Sequence, residues 1–110
     1  MTTRAVAMAL AVLTLVGCGD VIRIGRLADT SRLEAALKPG LSSRDDVLRE
    51  LGAPRSSGAA LLPGWDRPRE TWFYLYEEGG LTDFHRCYIY VFFDGAKYDG
   101  YLWFSSLGQP

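Results

Sequence analysis

His85 is the single histidine of this 110-residue chain, and acids and possible nucleophiles lie near it in the sequence. A hydrolytic site would use its imidazole as general base, with Asp83 or Glu70 orienting the ring and Ser105 or Cys87 attacking. No spacing supports such a set. His85 follows Phe84 between two strand-like runs, where a lone histidine near acids is ordinarily a solvated loop residue. One histidine and one free thiol also fall short of a four-ligand zinc site. The sequence therefore assigns no catalytic residue, no metal ligand and no cofactor, and reads as a protein that is not an enzyme.

The other cysteine points to a different chemistry. Arg4 precedes an apolar run from Ala5 to Val16, and Gly17 and Cys18 follow. That is the layout of a secretion signal, too short for a membrane span of about 20 residues. Leu15-Val16-Gly17-Cys18 has the form of a bacterial lipobox, so Cys18 is expected to become the first mature residue, lipidated with palmitate-type chains. Its sulfur is then used, and no intramolecular disulfide with Cys87 is possible. Cys87 alternates with Ile89, Val91 and Phe93, as a small core residue does.

Residues 1–17 are thus read as a lipoprotein signal peptide, 18–28 as a lipidated tether and 29–110 as a single domain with one thin core. The tether has few turn signals and, at roughly 3.3 Å per residue, reaches about 30 Å. The alternative for Val21-Ile22-Arg23-Ile24 is a strand added to the sheet. Loss of Arg4 leaves 11 basic against 13 acidic residues, so there is no basic patch to hold nucleic acid.

Two helices are written out before residue 55. Ser31-Arg32-Leu33-Glu34 has capping-box spacing, Leu33, Ala36 and Leu37 share a face, and Pro39-Gly40 ends the run. The second helix starts after Ser42 or Ser43, paired with Asp45 or Asp46, carries Val47, Leu48 and Leu51 on one stripe, and stops at Gly52 and Pro54. Residues 55–69 mix glycines and prolines with Leu61, Leu62 and Trp65 and read as a loop crossing to the sheet.

From Glu70 the period changes to two. Runs at 71–76, 86–93 and 98–104 are rich in aromatic and branched residues, with Asp94-Gly95 as a hairpin signal between the last two. The predicted fold is α+β, two short helices packed on one face of a three-stranded antiparallel meander (ααβββ). Charged residues assign the faces: Glu77, Arg86, Lys97 and Asp99 mark the side away from the helices. Trp72, Tyr74, Tyr76, Cys87, Ile89, Val91, Phe93, Tyr98, Leu102 and Phe104 then form the core face. Phe73, Leu75, Tyr88, Tyr90, Phe92, Tyr101 and Trp103 are left on the outer face, an apolar patch of the kind that meets a protein partner or a second copy of the chain. The alternative is that residues 55–69 or the N-terminal segment fold over that patch.

The lipobox, Pro39-Gly40-Leu41-Ser42 with Val47 and Leu51-Gly52-Ala53-Pro54, Thr71-Trp72-Phe73-Tyr74, and Phe93-Asp94-Gly95 together resemble the BamE (SmpA/OmlA) family of small outer-membrane lipoproteins, over most of the mature chain. The resemblance implies a non-catalytic accessory subunit of the machine that inserts β-barrel proteins, docked on another lipoprotein of that complex. It implies structural roles for Gly40, Gly52 and Pro54, core positions for Trp72 and Tyr74, and a place for Phe73 on the face used for partner and lipid contact. Two features depart from the family: Glu77 and Glu78 disfavour an anionic headgroup beside Phe73, and Tyr88, Tyr90 and Phe92 make the second strand unusually aromatic. The same fold serves other protein-binding and inhibitor lipoproteins, so a role outside barrel assembly is the alternative. Gly19 after Cys18 lacks the acidic residue that retains enteric lipoproteins in the inner membrane. The periplasmic side of the outer membrane is the expected location, with attachment through the lipid on Cys18.

Overall fold

In chain order the elements are β1 (Ile22–Ile24), α1 (Thr30–Ala36), α2 (Arg44–Leu51), β2 (Ser56–Ala60), β3 (Arg69–Gly79), β4 (Phe84–Asp94) and β5 (Lys97–Ser105). They come from a computed structural model that describes residues 22–80 and 82–106. The expected signal peptide, the expected anchor at Cys18 and the first part of the expected tether lie outside the described residues.

Both helices start on a side-chain cap. Ser43 accepts the Asp46 N–H at 3.2 Å while the Asp46 carboxylate accepts the Ser43 N–H at 2.8 Å, closing a capping box on α2. Asp45 and Asp46 in the first turn and Arg49 in the last complement the helix dipole. At the other end, Gly52 turns to φ 76° and its N–H donates to Leu48 O at 2.8 Å. The cap of α1 is Asp29 and not Ser31: its carboxylate accepts the N–H groups of Ser31 at 3.0 Å and Arg32 at 3.3 Å, so the helix opens earlier than the Ser31 spacing predicts.

The sheet overturns the expected three-stranded layout: it has five strands, all antiparallel. β3, β4 and β5 form the meander, and the free edge of β3 takes two short strands end to end. β2 pairs with its first half, Ser56 opposite Phe73 through Ala60 opposite Arg69. β1 pairs with its last residues, Ile22 opposite Gly79 through Ile24 opposite Glu77. Residues 22–24, read as tether, and 56–60, read as loop, are therefore sheet. Residues 56–60 lack strand-forming side chains, and 22–24 are too few to stand alone. Each is held by the unpaired backbone groups of an 11-residue neighbour.

Leu33, Leu37 and Val47 pack against Trp72, Tyr76, Cys87, Ile89, Val91, Phe93 and Tyr98, with Val47 and Val91 wholly buried. Leu48 lies off this contact and is 39% exposed, because α2 is short and only part of its stripe meets the sheet.

A second correction concerns β5. Tyr98 stands opposite Phe93 but Gly100 stands opposite Phe92, so Asp99 is an extra residue, a bulge. Gly100 follows at φ 122°, backbone that a side chain would strain. One extra residue exchanges the two faces beyond it. Tyr101, opposite Val91, and Trp103, opposite Ile89, pack on the helix side. Leu102 and Phe104, expected in the core, lie on the outer face and are 38% and 55% exposed.

Candidate docking face

On the outer side of the sheet, cross-strand pairing sets aromatic residues side by side. Phe73 lies opposite Tyr90 and Leu75 opposite Tyr88. The Phe73 ring centre is 5.1 Å from Tyr90 and 5.7 Å from Tyr88, with rings tilted by 36° and 40°. Across the next strand pair, Tyr88 faces Phe104 and Tyr90 faces Leu102, and Phe104 meets the Tyr90 ring edge-on at 6.3 Å. Such pairs hold one another in place, so the cluster is presented as a fixed surface.

Of the seven residues assigned to this face from the sequence, Phe73, Leu75, Tyr88 and Tyr90 are together on it and partly exposed. Phe92 shares the face but is only 5% exposed, because Trp65 stands edge-on over it at 5.0 Å. Arg69 stacks on the Trp65 ring at 4.4 Å and forms an ion pair with Asp99, which pins the loop at this end. Tyr101 and Trp103 are on the opposite side for the reason given above. Leu102 and Phe104 take their places, and only the bulge at Asp99, which leaves little mark in the sequence beyond Asp99-Gly100, could have disclosed it.

The rim is charged and paired. Glu77 at the end of the Phe73 and Leu75 row meets Arg86 at 3.3 Å, and Arg86 lies over the Phe84 ring at 4.8 Å. Glu78 is on the other side, held by the Tyr76 hydroxyl and by Arg23 at 2.9 Å, and these hydrogen bonds, that of Tyr76 foremost, keep its carboxyl below the ordinary value. Beside Phe73 the small residues of β2 leave a shallow hollow of about 340 Å³, lined by Ser56, Ser57, Gly58, Thr71 and Tyr90. A larger groove of about 660 Å³ opens on the helix side, with Tyr74, Cys87 and Ile89 in its lining and Arg26, Arg32, Arg49 and Arg55 around it.

The residues considered for catalysis do not assemble into one site, and His85, expected in a loop, lies in β4. His85 Nε2 lies 2.9 Å from the Asp83 carboxylate, but Glu70 is committed to Arg44 and to the Trp72 indole N–H at 3.0 Å. Cys87 is 2% exposed and burial pushes its thiol pKa up, which disfavours the thiolate a nucleophile needs. Among the described residues no group of three or more His, Cys, Asp or Glu is placed to hold a metal ion. No described helix is long and apolar enough to cross a membrane. No family model matches the chain, and neither the curated proteins nor the solved structures returned a match, so the likeness to BamE lipoproteins rests on the sequence motifs alone.

Proposed function

We propose that this protein is a non-catalytic, lipid-anchored binding protein of the bacterial envelope that docks a protein partner through the outer face of its sheet. The observation carrying this reading is the Phe73, Tyr88, Tyr90 and Phe104 cluster, ordered by ring contacts and left open where an antiparallel sheet ordinarily shows polar residues. Aromatic residues held in a rigid patch are the usual energetic centres of protein interfaces. The lipobox supports anchorage through Cys18, and the family resemblance supports a partner among the lipoproteins of the barrel-assembly complex on the periplasmic side of the outer membrane.

The test is recovery of partners from detergent-solubilised envelopes by the full chain and by a Phe73→Glu, Tyr90→Glu variant whose circular dichroism matches the parent. Barrel-assembly subunits recovered by the parent and lost with the variant are the expected result. A defined partner from outside that complex, lost in the same way, would leave the docking face standing and assign the protein to another binding or inhibitory role. Equal recovery by both chains would refute the face.

A further inference from the structure

We propose that the outer edge of β5 pairs with the same edge of a second copy, antiparallel about Leu102, joining two five-stranded sheets into one. Three hydrogen bonds fix which way the backbone of β5 points. The Tyr98 N–H donates to Ser42 O and Tyr98 O accepts the Gly40 N–H, both at 2.8 Å, so Tyr98 turns away from β4. The Ser106 N–H donates to Arg86 O at 2.9 Å, so position 106 turns toward β4. Alternation back from Ser106 as far as the bulge at Asp99, which reverses the sense set by Tyr98, directs Leu102 and Phe104 inward and the N–H and C=O groups of Tyr101 and Trp103 outward. Beyond Lys97 and Tyr98, which meet residues 40–43, no strand covers this edge among the described residues.

Edge strands are ordinarily guarded by lysine, proline, an inward-pointing charge or a bulge, and the bulge of β5 lies before Gly100, at Asp99. Beyond that bulge, Gly100-Tyr101-Leu102-Trp103-Phe104 carries no lysine, proline or charge, and the preceding charge, Asp99, is taken up by Arg69. An occupant must be extended, uncharged and apolar on both sides. It meets Tyr101 and Trp103 on the helix side and the exposed Leu102 and Phe104 on the other.

The same five residues of a second copy satisfy each requirement. With Leu102 opposite Leu102 of the second copy, Tyr101 faces Trp103 of that copy, and both present outward backbone groups. Each N–H then meets a carbonyl, and the two-fold axis repeats the pair to give four hydrogen bonds. Partial charges are complementary along the joint, and no like formal charges meet, although the chain as a whole carries a formal charge of −1. Five residues make a small joint beside the roughly 1,600 Å² of a standard interface, so the pairing depends on concentration. It leaves Phe73 and Tyr88 open and does not rest on the docking role proposed for them.

In this register the two Leu102 positions form a non-hydrogen-bonded pair with Cα atoms about 4.5 Å apart, within disulfide reach. Position 104 lies opposite Gly100 of the second copy, which sets the two Phe104 positions roughly 13 Å apart. Oxidation of membranes carrying the full chain is expected to link Leu102→Cys into a covalent dimer. The Phe104→Cys chain and the parent, which retain Cys18 and Cys87, serve as controls and are expected to stay unlinked. Sedimentation of the detergent-solubilised parent should show a concentration-dependent dimer whose association constant Leu102→Lys lowers about tenfold or more, since two like charges then face each other. A parent chain that stays monomeric at every concentration, or a Phe104→Cys chain that links as fast as Leu102→Cys, overturns the proposal.

Discussion

Tyr101 stands directly across from the wholly buried Val91, on the helix side of the sheet, although simple alternation from Lys97 and Asp99 places it on the other. Its hydroxyl donates to Glu34 of α1 at 2.9 Å, tying the last strand to the first helix. The bulge at Asp99 makes this possible. Inserting one alanine between Gly100 and Tyr101 moves each later residue on by one place, turns Tyr101 and Trp103 outward and forces Leu102 and Phe104 inward. A loss of about 3 kcal/mol or more in urea unfolding is expected. Asp99→Ala keeps the bulge but strips Arg69, 18% exposed at its side chain, of its carboxylate, at a cost of about 2–3 kcal/mol.

At Gly25 the backbone lies hard against β3. A Cβ there would lie 2.0 Å from Leu75 O, and the residue sits at φ 75°, where a side chain is strained. Gly25→Ala is expected to detach β1 from β3 and leave the rest of the domain folded. Amide exchange should speed up at Ile22–Ile24 and at Glu77 to Gly79, with little change in β4.

Trp65 is the cover over Phe92. Trp65→Ala removes both the ring contact and the stacking surface of Arg69, and about 1–2 kcal/mol of stability should go with it. The outer apolar face is then larger, so binding of a hydrophobic dye should rise even though the fold remains.

Stability should fall at both ends of the pH scale, for opposite reasons. The Arg44 guanidinium holds the Glu70 carboxyl below its ordinary 4.5, and the Ser43 backbone N–H holds Asp46 below 3.8. Unfolded chains take up these protons first, so the stabilisation is present at neutral pH and is lost as pH drops from about 5 through the lowered folded values. Glu70→Gln should flatten the acid limb of a melting-temperature profile. Burial pushes the phenols of Tyr74 and Tyr98 up to about 12 from 10.0. In the unfolded chain they ionise first, so stability is present below pH 10 and is lost between about 10 and 12. Tyr74→Phe should blunt that alkaline limb and lower stability at neutral pH by about 1 kcal/mol, since its hydroxyl donates to Gly52 O at 2.9 Å.

What could be read from the sequence was whatever is encoded locally. The ends of α2 are set by Ser43, Asp46 and Gly52, all within a turn of the helix, and the three long strands by their own aromatic and branched residues. The hairpin signal at Asp94-Gly95 was also local, and the turn itself falls on Gly95 and Ala96 between the paired Asp94 and Lys97. β2 was illegible because Ser56-Ser57-Gly58-Ala59-Ala60 has no strand-forming residue. It is a strand only because β3 offers it an edge. β1 was weighed only as an alternative to a tether, its three residues being too few to carry a pattern. The docking face was half legible: Phe73, Leu75, Tyr88 and Tyr90 precede the bulge, where alternation holds, while Tyr101 and Trp103 follow it, where alternation reverses.

The pairing of β1 at the far end of β3 also sets how the domain answers a mechanical load. Tension arriving from the N-terminal side is borne first by three residue pairs, while the core, α1 and the four other strands lie behind them. Peeling β1 away, together with the Arg26 hydrogen bond to Glu50 O, releases residues 22–27, a run of about 20 Å at roughly 3.3 Å per residue, before Ala28 is pulled off the core. The strand is thus a spring-loaded length of chain, taken up when the load is low and paid out when it is high.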